Sequence, residues 1–246
     1  MFGLNADAAA SLSLHLGCLL AAIALAAALL RRTPRWRDAA IALAGLALGL
    51  AALFVDPLDP LTRALGLHWN WGGKLFSTLV MLGVMRLAAP TFDEMGVRRW
   101  DGRGFGAALL CLGAMCALDW GLSAMFSSGL GLPDTERLLF QATMPGLNEE
   151  LMYRGFAMAM LDRAFHGVRW QVLGAPVGLG AVLSSVFFGI QHGAGFADGH
   201  LVISGAAIAL TGTLGLLLAW MRARTGSLVA PMLAHNLVNV GHAFFR

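Results

Sequence analysis

Asn148-Glu149-Glu150-Leu151-Met152-Tyr153-Arg154-Gly155-Phe156 puts two adjacent carboxylates and an arginine inside an otherwise apolar run. The 246-residue chain is 58% hydrophobic and 13% charged, with a mean hydropathy of +0.70. Soluble domains carry about 25% charged residues, so this composition describes a polytopic membrane protein and excludes a soluble domain with a large core. Charge at bilayer depth costs about 2.5–3.5 kcal/mol per residue on insertion scales, and such residues mark functional sites. Fold and site are therefore read from the same stretch.

Working outward, apolar runs of roughly the 17–25 residues needed to span fall at about 11–30, 39–55, 73–90, 104–126, 143–161, 172–192, 201–221 and 227–245. They predict an all-α, polytopic membrane helical bundle of about eight transmembrane helices, with six to eight tolerated. A single integral-membrane domain is expected over 1–246. Its spans within 1–130 carry no motif, and its polar residues concentrate in a core over 135–243. The first run is long and lacks cleavage-site flanks, so it reads as a retained span rather than a signal peptide. Pro145 and Gly146 suggest that the fifth helix starts just before the charged stretch. Cys18, Cys111 and Cys116 lie in apolar runs without metal-ligand spacing and read as small buried hydrophobes.

A formal charge of +3 and a pI near 9.1 do not signal nucleic acid here, because the basic residues fall in short loops. The odd-numbered connections hold Arg31, Arg32, Arg35, Arg37, Arg86, Arg98, Arg99, Arg103, Arg163, Arg169, Arg222 and Arg224. The other side holds Arg63, Lys74, Arg137 and Arg246, and Arg154 lies within a helix. The positive-inside rule then puts the odd loops in the cytoplasm, both termini outside, and Glu149 towards the outer side.

On a helix Glu150 and Arg154 are i,i+4 in the favourable acid-first order and can neutralise each other. Glu149 points about 100° away and has no sequence-local partner, which suits a general base. The competing reading is an acid complementing a helix N-terminus. Phe188-Gly189-Ile190-Gln191-His192 ends the sixth run. In the eighth, His235 and Asn239 share one helix face, as oxyanion donors, metal ligands or packing hydrogen bonds would. The three places lie at similar depth on the same side. His15, His68, His166, His200 and His242 have no patterned neighbours. There is no Gly-x-Ser-x-Gly elbow and no His-Glu-x-x-His motif, and Asp119 has no second aspartate to form a pair.

Glu149-Glu150-x-x-x-Arg154, Phe188-x-x-x-His192 and His235-x-x-x-Asn239, in this order, resemble the three-part signature of the CPBP family. That family contains the type II CAAX prenyl endopeptidases and bacterial relatives of the lysostaphin-resistance type. The resemblance covers about residues 135–243, including Thr225-Gly226-Ser227-Leu228 and Pro231; the first four spans resemble the family only in being apolar. It implies a glutamate-type intramembrane endopeptidase, multi-pass in a bacterial inner (plasma) membrane. Its substrate would be a membrane-embedded, lipid-modified or C-terminal-tail protein. Membrane lipid would be the other partner, with no nucleic acid. Glu149 would activate water, His192 position it, His235 and Asn239 stabilise the oxyanion, and Glu150 and Arg154 hold the site. No cofactor is required in that reading; the alternative is Zn on Glu149, His192 and His235. In the eukaryotic prenyl endopeptidases the site opens to the cytosol, whereas the arginine count here places it outward. The alternative of another class is a non-catalytic immunity or binding factor, or a small transporter using the same polar cavity; internal repeats expected of a transporter are not found.

Overall fold

The computed structural model describes residues 5–245. In chain order the elements are α1 (Ala6–Leu30), α2 (Trp36–Phe54), the short α3 (Asp59–Ala64), α4 (Trp71–Leu87) and α5 (Phe105–Phe126). Next comes α6 (Thr135–Glu150), which runs through a π-helical stretch, Leu151–Ala157, into α7 (Met158–Ala164). The rest is β1 (Arg169–Val172), β2 (Ala175–Gly178), α8 (Leu179–Gly193), β3 (Ala194–Ala197), β4 (His200–Ile203), α9 (Gly205–Thr225) and α10 (Val229–His242). The fold is an all-α bundle with two small antiparallel hairpins. Among the described residues, four helical stretches are long and apolar enough to cross a membrane: α1, α2 running on to Ala64, α5 and α9. This is an integral membrane protein.

Three boundaries differ from the sequence expectation. The fifth helix begins at Thr135, where the Asp134 carboxylate accepts from the Arg137 backbone N–H at 2.7 Å. Pro145 therefore lies inside the helix rather than at its start. It supplies no donor to the helical ladder, and the next N–H, that of Gly146, donates to Asn236 Oδ1 of α10 at 2.7 Å. A Cβ at Gly146 would sit 2.6 Å from the Met232 carbonyl, so only glycine lets α10 come this close. The sixth and seventh spans also start later than expected, because hairpins occupy residues 169–178 and 194–203. Both hairpins turn on two left-handed residues, Leu173-Gly174 and Asp198-Gly199, as two-residue turns that match strand twist require.

The loops sort to two ends of the bundle. At one end Arg35 N–H donates to the Ala164 carbonyl, Leu228 N–H to Gly96 and Ser227 Oγ to the Arg98 carbonyl, so the odd-numbered connections meet there. At the other, the Glu136 carboxylate accepts from the His68 and Trp69 backbone N–H groups, and Gly131 N–H donates to Phe244. Arg246 lies outside the described residues. One apolar core joins α1, α2, α4, the π-helical stretch, α7 and α8 through Ile23, Leu46, Met81, Phe156, Leu161 and Phe187. A second joins α5, α9 and α10 through Met115, Leu218 and Val238. The polar centre lies between them.

Candidate active site

The N-terminus of α4 is docked on α6 by a specific clamp. Glu136 Oε1 accepts from the Trp71 indole N–H at 3.1 Å, and Phe140 packs against the rings of Trp69 and Trp71 at 5.0 and 5.2 Å. One turn further along α4, Lys74 Nζ donates to Glu149 Oε1 at 2.5 Å. The Asn148 side-chain amide donates to Ser77 Oγ at 3.0 Å and to Thr78 Oγ1 at 3.3 Å. Lys74, Ser77 and Thr78 thus fix the stretch Asn148-Glu149 from outside its own helix. Glu149 is fourteen residues into α6, or about 21 Å at 1.5 Å per residue, deeper than the single turn expected when Pro145 was read as the helix start.

Glu149 Oε2 is buried without a hydrogen-bond partner. It lies 3.8 Å from His192 Nε2 and 3.8 Å from His235 Nε2. The opposite nitrogens of these rings are occupied. His192 Nδ1 lies 2.8 Å from the Phe188 carbonyl; a carbonyl only accepts, so Nδ1 carries the proton. His235 Nδ1 lies 2.7 Å from Glu150 Oε1, which also accepts from Arg154 Nη1 at 2.8 Å. With Nδ1 engaged in this way, each ring turns its Nε2 towards Glu149 Oε2. A gap of this size between Oε2 and the two ring nitrogens suits a bridging water.

The expected Glu150–Arg154 pair is present, and both side chains are fully buried. The π-helical stretch begins immediately after Glu150 and carries Arg154; such insertions occur frequently at functional sites. The Arg154 guanidinium lies 4.4 Å from the centroid of the Phe188 ring, a cation–π contact. A Cβ on Gly215 would come within 2.9 Å of Arg154 Nη2, so that glycine makes room for it.

A cavity of about 380 Å³ opens between the two cores, within the range of ligand sites. Glu149, His192, His235 and Asn239 all line it, so the structure brings together the four residues singled out from sequence. Glu150 and Arg154 stand behind His235. Three titratable lining residues were not anticipated as part of the site: Lys74, Asp119 and His242. His242 Nδ1 lies 3.0 Å from Asp119 Oδ2. Asp119 thus has a histidine partner rather than a second aspartate. Lys74 carried a readable signal, being the single lysine beside sixteen arginines; it was counted only as a loop charge. For the zinc alternative, no three His, Cys, Asp or Glu side chains among the described residues form a ligand set. The Lys74 ammonium already neutralises Glu149 from the other side.

Fold and cavity define an integral membrane protein whose polar groups converge inside the bundle. Residues 134–241 match the family model described as type II CAAX prenyl endopeptidase Rce1-like. That stretch is thus similar to the Rce1-like domain, in agreement with the CPBP signature. The matched stretch runs from the N-cap of α6 into α10; Lys74 and Asp119 come from outside it. No curated protein and no solved structure matches.

Proposed function

We propose that this chain hydrolyses a peptide bond in a membrane-associated or lipid-modified protein, with Glu149 drawing the proton from the attacking water. The observation that carries this reading is the buried, unpartnered Glu149 Oε2, facing two imidazole Nε2 atoms at 3.8 Å on the wall of the cavity. Lys74 holds the other carboxylate oxygen, which keeps Oε2 pointed at the water. His192 positions that water. His235 takes that proton on from Glu149 at Nε2 and later gives it to the leaving amine, while Glu150, itself braced by Arg154, steadies the imidazolium through Nδ1, the role an orienting carboxylate plays for histidine in other hydrolases. Protonated His235 and the Asn239 amide then donate to the oxyanion.

The reading is metal-free, supported by the ammonium against Glu149 and by Nε2 atoms held apart from Oε2. The site is placed on the outer side by the arginine count, and residues 135–243 are taken as the catalytic core. A reporter fused after Arg246 that is active in the cytoplasm would reverse the orientation.

Glu149→Gln keeps an acceptor for Lys74 and removes the base. Cleavage of prenylated C-terminal peptides in proteoliposomes should fall about 10²–10⁴-fold, with insertion and thermal unfolding unchanged. An unaltered rate would remove Glu149 as the base. Full activity after exhaustive chelation is expected, and restoration by zinc of a lost activity would establish the metal alternative. Proteomics of membranes with and without the active chain tests the substrate class; no product difference would favour the binding or transport reading.

A further inference from the structure

The strongest unassigned feature lies at the opposite end of the α6–α7 helix. There the odd-numbered loops enclose a cavity of about 640 Å³. Seven of its lining residues are arginines, against three acids, Asp93, Glu94 and Asp162. The acids are engaged. Asp162 accepts from the Gly180 backbone N–H at 2.7 Å and pairs with Arg169 at 3.4 Å, and Asp93 pairs with Arg98 at 3.7 Å. The Thr91 backbone N–H donates to Glu94 at 2.7 Å and holds its carboxyl below the ordinary range.

Arg35, Arg163, Arg222 and Arg224 form no ion pair among the described residues, although all four line the cavity. The Nε atoms of Arg163, Arg222 and Arg224 are buried there without a partner. Residues serving only as topology signals would sit exposed to solvent, as Arg86 at the end of α4 and Arg99 in the following loop do at this same end. Guanidinium groups gathered in a concavity present paired donors that match phosphate oxygens.

We propose that this cavity binds a phosphate-class oxyanion, supplied either by an anionic phospholipid headgroup or by a free phosphate compound. The β1–β2 hairpin supplies Gly174 and Pro176 to the wall, and beside them exposes Trp170 and Leu173, 44% and 87% accessible. An exposed tryptophan and leucine suit the headgroup level of a bilayer, where a lipid phosphate would meet Arg163 and Arg224.

The test uses the full-length protein in neutral detergent. Native mass spectrometry counts phosphatidylglycerol against phosphatidylcholine adducts, and calorimetry measures inorganic pyrophosphate. Arg163→Gln with Arg224→Gln should weaken anion binding about tenfold or more, since both charge-assisted donors to the phosphate oxygens are lost. Arg86→Gln with Arg99→Gln removes the same charge from the same end and should leave binding unchanged. Arg35→Gln, at an exposed position, gives a second and smaller loss should the buried variant fail to fold. Binding of the lipid but not pyrophosphate assigns a headgroup site; the reverse assigns a soluble phosphate. Equal loss in both double variants, or binding of neither probe by the unmodified protein, overturns the proposal.

Discussion

Two acid–arginine pairs in this bundle share i,i+4 spacing and almost the same length, yet only one carries the polar centre. Asp59 and Arg63 in α3 meet at 2.7 Å with 25% and 56% of their side chains accessible. Glu150 and Arg154 meet at 2.8 Å with none accessible. At the surface, water competes for each charge and the pair is worth about 0–1 kcal/mol. In the interior, desolvation costs several kcal/mol per ion, so such a pair persists only where further contacts complete it. Those contacts are on view: His235 Nδ1 shares Glu150 Oε1, and the Phe188 ring underlies Arg154. The buried pair is thus weak evidence for stability in its own right. Its use is to fix the ring that faces Glu149.

Removing one buried partner should therefore produce the largest effect. Arg154→Met leaves Glu150 buried and uncompensated, and should destabilise the protein by about 3–5 kcal/mol in detergent unfolding. A loss no larger than that of a surface pair would mean that water reaches Glu150, and the contrast would fail. Lys74→Met comes next. The Lys74–Glu149 pair is 13% and 14% accessible, and losing a charged hydrogen bond of this kind costs about 1.5–3 kcal/mol. Cleavage should fall as well, because Glu149 Oε1 loses the donor that orients it. A variant with wild-type cleavage would show that Lys74 has no positioning role.

The same contrast explains what was legible in the sequence. Glu150 with Arg154, and His235 with Asn239, lie within one helical turn of each other, so spacing alone puts each pair on one face. The apolar runs outlined the bundle because lipid demands long apolar stretches. Three features escaped. Lys74 meets Glu149 across seventy-five positions, and no local period encodes that contact; only its singularity among the cationic residues pointed to it. The early start of α6 was hidden because Pro145 looks like a helix opener, while the partner that satisfies the neighbouring N–H, Asn236, lies in α10. The Asp198-Gly199 turn was present as a hairpin signal, but apolar flanks on both sides made the region read as span.

The smallest effect gives the sharpest control. Arg63→Met should cost about 0.2–1 kcal/mol, as exposed pairs do, with cleavage unchanged because α3 contributes nothing to the cavity. Salt then separates the two environments independently of magnitude. At 1 M salt the screening length falls to about 3 Å, so the deficit of Arg63→Met should vanish as the unmodified pair is itself screened. Ions cannot enter the space between Glu150 and Arg154, since both side chains are wholly enclosed. The deficit of Arg154→Met should accordingly persist at high salt. If the two deficits shrink together, the enclosure of Glu150 is not maintained in solution. The imidazole of His235 would then lack the fixed carboxylate that its proposed role towards Glu149 requires.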